Sequence, residues 1–273
     1  MANVPRPRRV AVALIAAAFV AVLAGAAAVA LRPWSAPVAE VEQAAAQQPV
    51  LAPAPVALPE HPDVLVFGDS WTYGSAATPI EKGYAYVLAD LLDGRTVVDG
   101  GRGSGYLRAG LDRPDYPTRI AELDPQAEYD LIILQGSIND RREPAAGYRA
   151  AVQRTWDALA DIYPDTPIVV LGPAPQVLPV EPETARIDRD LAALAADRQW
   201  WYISPLREQW ITPENFAAVI DTGPVGRHHP SVEGHAYLAQ RVADALSEIT
   251  DPVTRVEASD EDTADSLSLA PVR

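Results

Sequence analysis

Five short apolar runs, Val64–Phe67, Thr96–Val98, Leu131–Leu134, Ile168–Leu171 and Trp201–Ile203, alternate with stretches whose apolar residues recur at helical spacing. Those stretches are Tyr84–Leu92, Tyr116–Leu123, Tyr148–Ile162 and Thr184–Arg198; a last one, Val232–Ile249, has Ser231 placed to cap its N-terminus. An unbroken apolar strand has both of its faces covered. Alternation of such strands with helices predicts an α/β fold, a parallel sheet between two helical layers. Loops leaving the strands then converge on one edge of the sheet, where open α/β sheets place their reactive groups.

The alternation is confined to residues 61–250, which we read as one domain. Before it, residues 33–60 are rich in Ala, Pro, Val and Gln and read as a semi-extended linker. Residues 1–32 carry Arg6, Arg8 and Arg9 ahead of an uncharged apolar stretch, Val10–Leu31. That stretch suffices for a membrane-spanning helix of about 20 residues, and exceeds the roughly 7–15 apolar residues of a cleaved signal. The expectation is a single-pass cell-membrane anchor with the domain outside; secretion after cleavage near Ala28-Val29-Ala30 is the alternative. Residues 251–273, with Asp260-Glu261-Asp262, read as an acidic disordered tail. A formal net charge of −15 argues against a nucleic-acid partner. The chain has no cysteine, which excludes disulfides, thiolate metal sites and a cysteine nucleophile.

Gly68-Asp69-Ser70 directly follows the first apolar run, so Ser70 falls on the reactive edge. A serine hydroxyl is a poor nucleophile until a base takes its proton, and histidine suits that task near neutral pH. Three of the four histidines cluster in His228-His229-Pro230-Ser231-Val232-Glu233-Gly234-His235. Two adjacent histidines and a third six residues on, split by proline, match no common zinc spacing, so no metal site is expected. The segment Asp99-Gly100-Gly101-Arg102-Gly103-Ser104-Gly105-Tyr106 is not a dinucleotide fingerprint. Its glycines permit close backbone approach to a substrate. Gly136-Ser137-Ile138-Asn139-Asp140 follows the third run.

Together and in this order, these four segments resemble the SGNH (GDSL) hydrolase superfamily. The resemblance spans about residues 63–246. It implies a three-layer α/β/α sandwich with a flavodoxin-like five-stranded sheet, no cofactor, and a carboxylic-ester substrate such as a lipid or O-acyl glycan. In the family the base is the histidine immediately before a proline, which is His229 here. The family holds the oxyanion with the serine N–H, a glycine N–H and an asparagine amide. These correspond to Ser70, Gly103 and Asn139, with Gly105 as the alternative glycine. Asp69, His228 and His235 are expected to serve local structure or substrate contact. Trp71, Tyr73 and Tyr106 fit either a pocket wall or the core.

Two departures stand out. Gly136-Ser137-Ile138-Asn139-Asp140 has one residue more than the family's Gly-x-Asn-Asp. The family's aspartate three residues before the histidine is replaced by Gly226. Either Asp221 folds back to orient His229, or a backbone carbonyl does so and leaves a Ser–His dyad. We expect an exported ester hydrolase with Ser70 as nucleophile and His229 as base. An O-acyltransferase and a non-catalytic envelope-binding module are the alternatives.

Overall fold

A computed structural model describes residues 52–250 of the chain. The expected anchor, the linker up to residue 51 and the acidic tail lie outside the described residues. Among the described residues no helix is long and apolar enough to cross a membrane.

Strands β1 (Asp63–Gly68), β2 (Arg95–Gly100), β3 (Leu131–Gln135), β4 (Ile168–Leu171) and β5 (Trp201–Ile203) form one parallel sheet, ordered β2-β1-β3-β4-β5. Its helices are α1 (Ser70–Tyr73), α2 (Tyr84–Leu91), α3 (Tyr116–Ala121), α4 (Tyr148–Ile162), α5 (Pro182–Asp197), α6 (Phe216–Val219) and α7 (Val232–Ile249). Alternate strand residues divide the core in two. Val64, Val66, Leu131, Ile133 and Val169 face Leu88, Leu238 and Val242 of α2 and α7. Leu65, Phe67, Ile132, Leu134 and Val170 face Ile120, Trp156 and Leu191 of α3, α4 and α5. The result is the expected three-layer α/β/α architecture.

Element ends follow local chemistry. Ser231 Oγ accepts from the Gly234 N–H at 2.9 Å and caps α7. Asp115 Oδ1 accepts from the Thr118 N–H at 3.0 Å and caps α3. A second, two-stranded sheet pairs β6 (Ile220–Asp221) antiparallel to β7 (His229–Pro230), with Asp221 opposite His229. Two residues of pairing give no readable sequence period, so this hairpin was not anticipated.

The packed region begins earlier than residue 61. Val56 and Leu58 are buried in the α2–α7 side of the core. The Val56 N–H donates to the Ile249 carbonyl at 2.8 Å, and Trp201 Nε1 donates to the Ala54 carbonyl at 2.8 Å. Apolar side chains at 56 and 58 turn the end of the expected spacer into part of the domain.

The strand order reverses direction at β1, placing a crevice between the carboxyl ends of β1 and β3. One side chain ties the edge beside it. Arg119 of α3 is fully buried. Its guanidinium donates to the Gly68 carbonyl at 2.9 Å, Ser104 Oγ at 2.8 Å, the Asp99 carbonyl at 2.6 Å and Asp99 Oδ1 at 2.8 Å. It also stacks 4.2 Å from the centroid of the Phe67 ring. A buried charge is tolerable only when paired and hydrogen-bonded, and removing one partner costs about 3–5 kcal/mol. Arg119→Met is therefore expected to lower unfolding free energy by about that amount in urea denaturation. Arg119→Lys recovers only part, because an ammonium lacks the planar fork. A loss under about 1 kcal/mol for Arg119→Met would contradict this role.

Candidate active site

Ser70 is the first residue of α1, immediately beyond β1. The turn is sharp because Asp69 caps the helix, its Oδ1 accepting from the Trp71 N–H at 2.9 Å. Gln135, at the end of β3, accepts from the Asp69 N–H at 3.1 Å and from Thr72 Oγ1 at 3.2 Å. A β-carbon at Gly68 would run into Thr72 Oγ1 and Gln135, so only glycine lets these two strand ends close. Burial pushes the Asp69 carboxyl up to about 6 against the hydrogen bonds it accepts.

The hairpin β6–β7 carries His229 to Ser70. His229 Nε2 lies 2.9 Å from Ser70 Oγ, while Nδ1 lies 2.7 Å from the Gly226 carbonyl. A carbonyl only accepts, so Nδ1 carries the proton and Nε2 presents its lone pair to the serine. Burial holds the imidazole below its ordinary pKa; the Gly226 carbonyl opposes this and neighbouring His228 adds to it. Asp221 does not reach the ring: its Oδ1 accepts from the Gly223 N–H at 2.7 Å, and its carbonyl accepts from the His228 N–H at 2.8 Å. Of the two ways to orient His229, the structure shows the carbonyl. Arg227 and His228 both have left-handed backbones, with φ of 49° and 66°, and this tight turn aims the Gly226 carbonyl at the ring.

Three donor groups belong to residues that line one cleft. As the first helical residue, Ser70 has an N–H with no acceptor in its own helix. Gly103 lies in the same cleft, and its N–H makes no backbone hydrogen bond among the described residues. Its φ of +76° is what calls for glycine, since a β-carbon would meet only Leu111 at 3.6 Å. The Gly105 N–H is already given to the Arg108 carbonyl at 2.8 Å, so the alternative glycine has no free donor. Asn139 Nδ2 donates to the Ser104 carbonyl at 3.0 Å and reaches Asp69 Oδ2 only at 3.5 Å, which leaves its second hydrogen weakly engaged. Asp140 is buried behind it and accepts from the Tyr106 N–H at 2.8 Å and the Leu107 N–H at 3.0 Å. The pair Asn139–Asp140 thus fixes the Gly-rich loop from two sides.

The pattern of the GDSL-like Lipase/Acylhydrolase family matches residues 66–237. The chain belongs to that family. No curated protein matches the sequence. Solved structures share the fold: a protein of Agrobacterium tumefaciens is 20% identical with a TM-score of 0.50, covering 68% of this chain and 99% of its own. The aryl esterase of M. smegmatis is 18% identical with a TM-score of 0.51, covering 68% and 99%. A family two carbohydrate esterase from Clostridium thermocellum, solved with cellohexaose, is 17% identical with a TM-score of 0.54, covering 72% and 66%.

In this GDSL-family chain Ser70, Gly103, Asn139 and His229 line one open cleft of about 780 Å³. Of the three aromatics considered, only Tyr73 lines it. Trp71 is buried in the core, and buried Tyr106 accepts from Trp156 Nε1 at 2.8 Å. His228 is exposed outside the lining. His235 is buried, accepts the Tyr84 N–H at Nδ1 and donates from Nε2 to the Ser75 carbonyl at 3.0 Å. Burial lowers its pKa to about 4, so it stays neutral and structural. Arg119, Gln135 and Ser137 were not singled out in the sequence. Ser137 Oγ donates to the Ser104 carbonyl at 2.7 Å and accepts the Asn139 N–H at 2.9 Å.

Gly226 has a structural cause. A β-carbon there would overlap the Asp221 side chain, so the family's aspartate cannot occupy this position. Gly226→Ala and Gly226→Asp are both expected to destabilise the protein by about 1–3 kcal/mol through overpacking. Thermal unfolding of the two variants checks this; a Gly226→Asp protein as stable as wild type would refute it.

Proposed function

We propose that the protein is a serine esterase working through a Ser70–His229 dyad and cleaving carboxylic esters. The observation that carries this reading is the 2.9 Å contact between Ser70 Oγ and His229 Nε2, with the tautomer set by the Gly226 carbonyl. Nε2 takes the hydroxyl proton as Oγ attacks the ester carbonyl carbon. Charge gathers on the carbonyl oxygen, where the Ser70 and Gly103 N–H groups and the Asn139 amide stabilise it. Collapse of this intermediate expels the alcohol, which takes the proton from Nε2. Water, activated by the same nitrogen, then releases the acid and restores Ser70.

No carboxylate backs the imidazolium in this scheme; a carbonyl dipole does. In triads, loss of the correctly orienting group costs about 10⁴ in rate when the tautomer is wrong. Here the tautomer is right, which keeps the larger part of that function. Aryl and carbohydrate esters, the classes named in the fold neighbours, are the first substrates to test. The arginine-led apolar stretch at the N-terminus supports placing this chemistry outside the cell, tethered to its membrane.

Ser70→Ala is expected to reduce hydrolysis of 4-nitrophenyl acetate at least about 10³-fold. The base works only when neutral, and burial holds its pKa below the ordinary value. The acid limb of kcat/KM should therefore fall below about pH 6.5, the free-histidine value. Asp221→Asn should leave that limb in place. A limb above pH 7, or one displaced by Asp221→Asn, would show a carboxylate acting on His229.

A further inference from the structure

The chain is acidic, with a net charge of −15, yet its reactive cleft is lined by Arg102, Arg108, Arg141, Arg142 and Arg227 and by no Asp or Glu. Three of these have partners just outside the lining. Arg102 pairs with Asp112 at 2.8 Å, Arg141 with Glu181 at 2.8 Å, and Arg108 with Glu143 at a long 3.8 Å. Arg142 and Arg227 are exposed and have no carboxylate partner among the described residues. Their loops are otherwise unrelated: Arg142 ends the short helix after β3, and Arg227 lies in the hairpin that holds His229. Leu111 and Val225, 82% and 76% exposed, stand in the same lining and offer contact to a carbon skeleton.

Two cations on the wall of a concave site, neither paired with a carboxylate among the described residues, bias the local field toward positive. Guanidinium groups bind carboxylate and phosphate oxygens through paired, charge-assisted hydrogen bonds. Resting on the esterase reading above, we infer that the natural substrate is an anionic ester, one whose acyl or alcohol portion bears a carboxylate or phosphate, and that Arg142 and Arg227 recognise this oxyanion. Arg227 Nε donates to the Pro224 carbonyl at 3.3 Å, so a neutral ester leaves the remaining guanidinium donors of Arg142 and Arg227 to water, and an anionic one engages them. The contact is made equally before and during the chemical step, so it acts on KM more than on kcat.

Matched acetates test this with the full-length protein. Methyl 4-acetoxybenzoate is the neutral reference, 4-acetoxybenzoate carries a carboxylate, and 4-acetoxyphenyl phosphate carries a phosphate. Mono-4-nitrophenyl succinate against 4-nitrophenyl butyrate moves the charge to the acyl side. At least one anionic member is expected to exceed its neutral partner about tenfold or more in kcat/KM at low ionic strength, through KM. This advantage should shrink as salt rises, because exposed charges are screened over about 10 Å at 0.1 M. In the Arg142→Gln/Arg227→Gln double variant the anionic-to-neutral ratio should fall about tenfold. Ser70-dependent hydrolysis with no preference in any pair, or a ratio untouched by the double variant, overturns the inference and leaves the esterase reading standing. If wild type turns over none of the esters, the esterase reading fails instead. Calorimetric titration with phenyl phosphate and benzoate then decides: binding lost in the double variant supports the anion site, and no binding, or equal binding by both proteins, overturns it.

Discussion

The carboxyl edge of the sheet is organised around one buried guanidinium. Arg119 reaches from α3 to the end of β1, to Asp99 on β2 and to Ser104 in the Gly-rich loop. Ser104 in turn gives its carbonyl to Asn139 and Ser137, which belong to the loop after β3. Three segments distant in sequence are thereby held in one register. Buried backbone carbonyls at strand ends call for donors, and the Gly68 carbonyl accepts both the Gly101 N–H at 3.0 Å and the guanidinium. The two terminal nitrogens of Arg119 supply those donors, while its Nε has no hydrogen-bond partner among the described residues, and Asp99 balances its charge. Its four acceptors come from three segments: Gly68 on β1, Asp99 twice on β2, and Ser104 in the Gly-rich loop.

The second pillar is the hairpin β6–β7. Its pairing places Asp221 across from His229, side by side along the strands and not end-on to the ring. The Gly226 carbonyl therefore does the orienting, and the dense turn leaves no room for a side chain at that position. Asp69, Asp140 and Asp221 all have prior commitments to backbone N–H groups. Nearby carboxylates hold loops in shape, while partial burial lowers the pKa of His229 below its ordinary value.

Much of this was legible in the residues. The strands are continuous apolar runs because both faces are covered, and their limits in the sequence match the sheet within a few residues. Ser70 could be placed because it directly follows an apolar strand, whereas Asn139 and His229 were assigned through the family resemblance of the segments around them. Arg119 could not be: one arginine in a helical pattern reads as a solvated surface residue, and only the tertiary packing of Phe67, Tyr116 and Asp99 around it makes it central. The choice between Gly103 and Gly105 was equally hidden, since it turns on which N–H the neighbouring loop already uses. The cluster of arginines was invisible for a related reason: positions 102, 108, 141, 142 and 227 lie on three separate loops that meet only in space. Residues 54–58 looked like spacer because proline and alanine dominate the count, whereas two apolar side chains decide the packing.

The pairing of Val56 with Thr250 and the contact of Ala54 with Trp201 bring both flanks of the domain together at the amino ends of the strands. Ser70, Gly103 and Asn139 all follow carboxyl ends. Entry and exit of the chain thus share one pole and the cleft occupies the other. Whatever is fastened through either flank, be it a bead, a fusion partner or a surface, holds the domain by its base like a lamp on a stand.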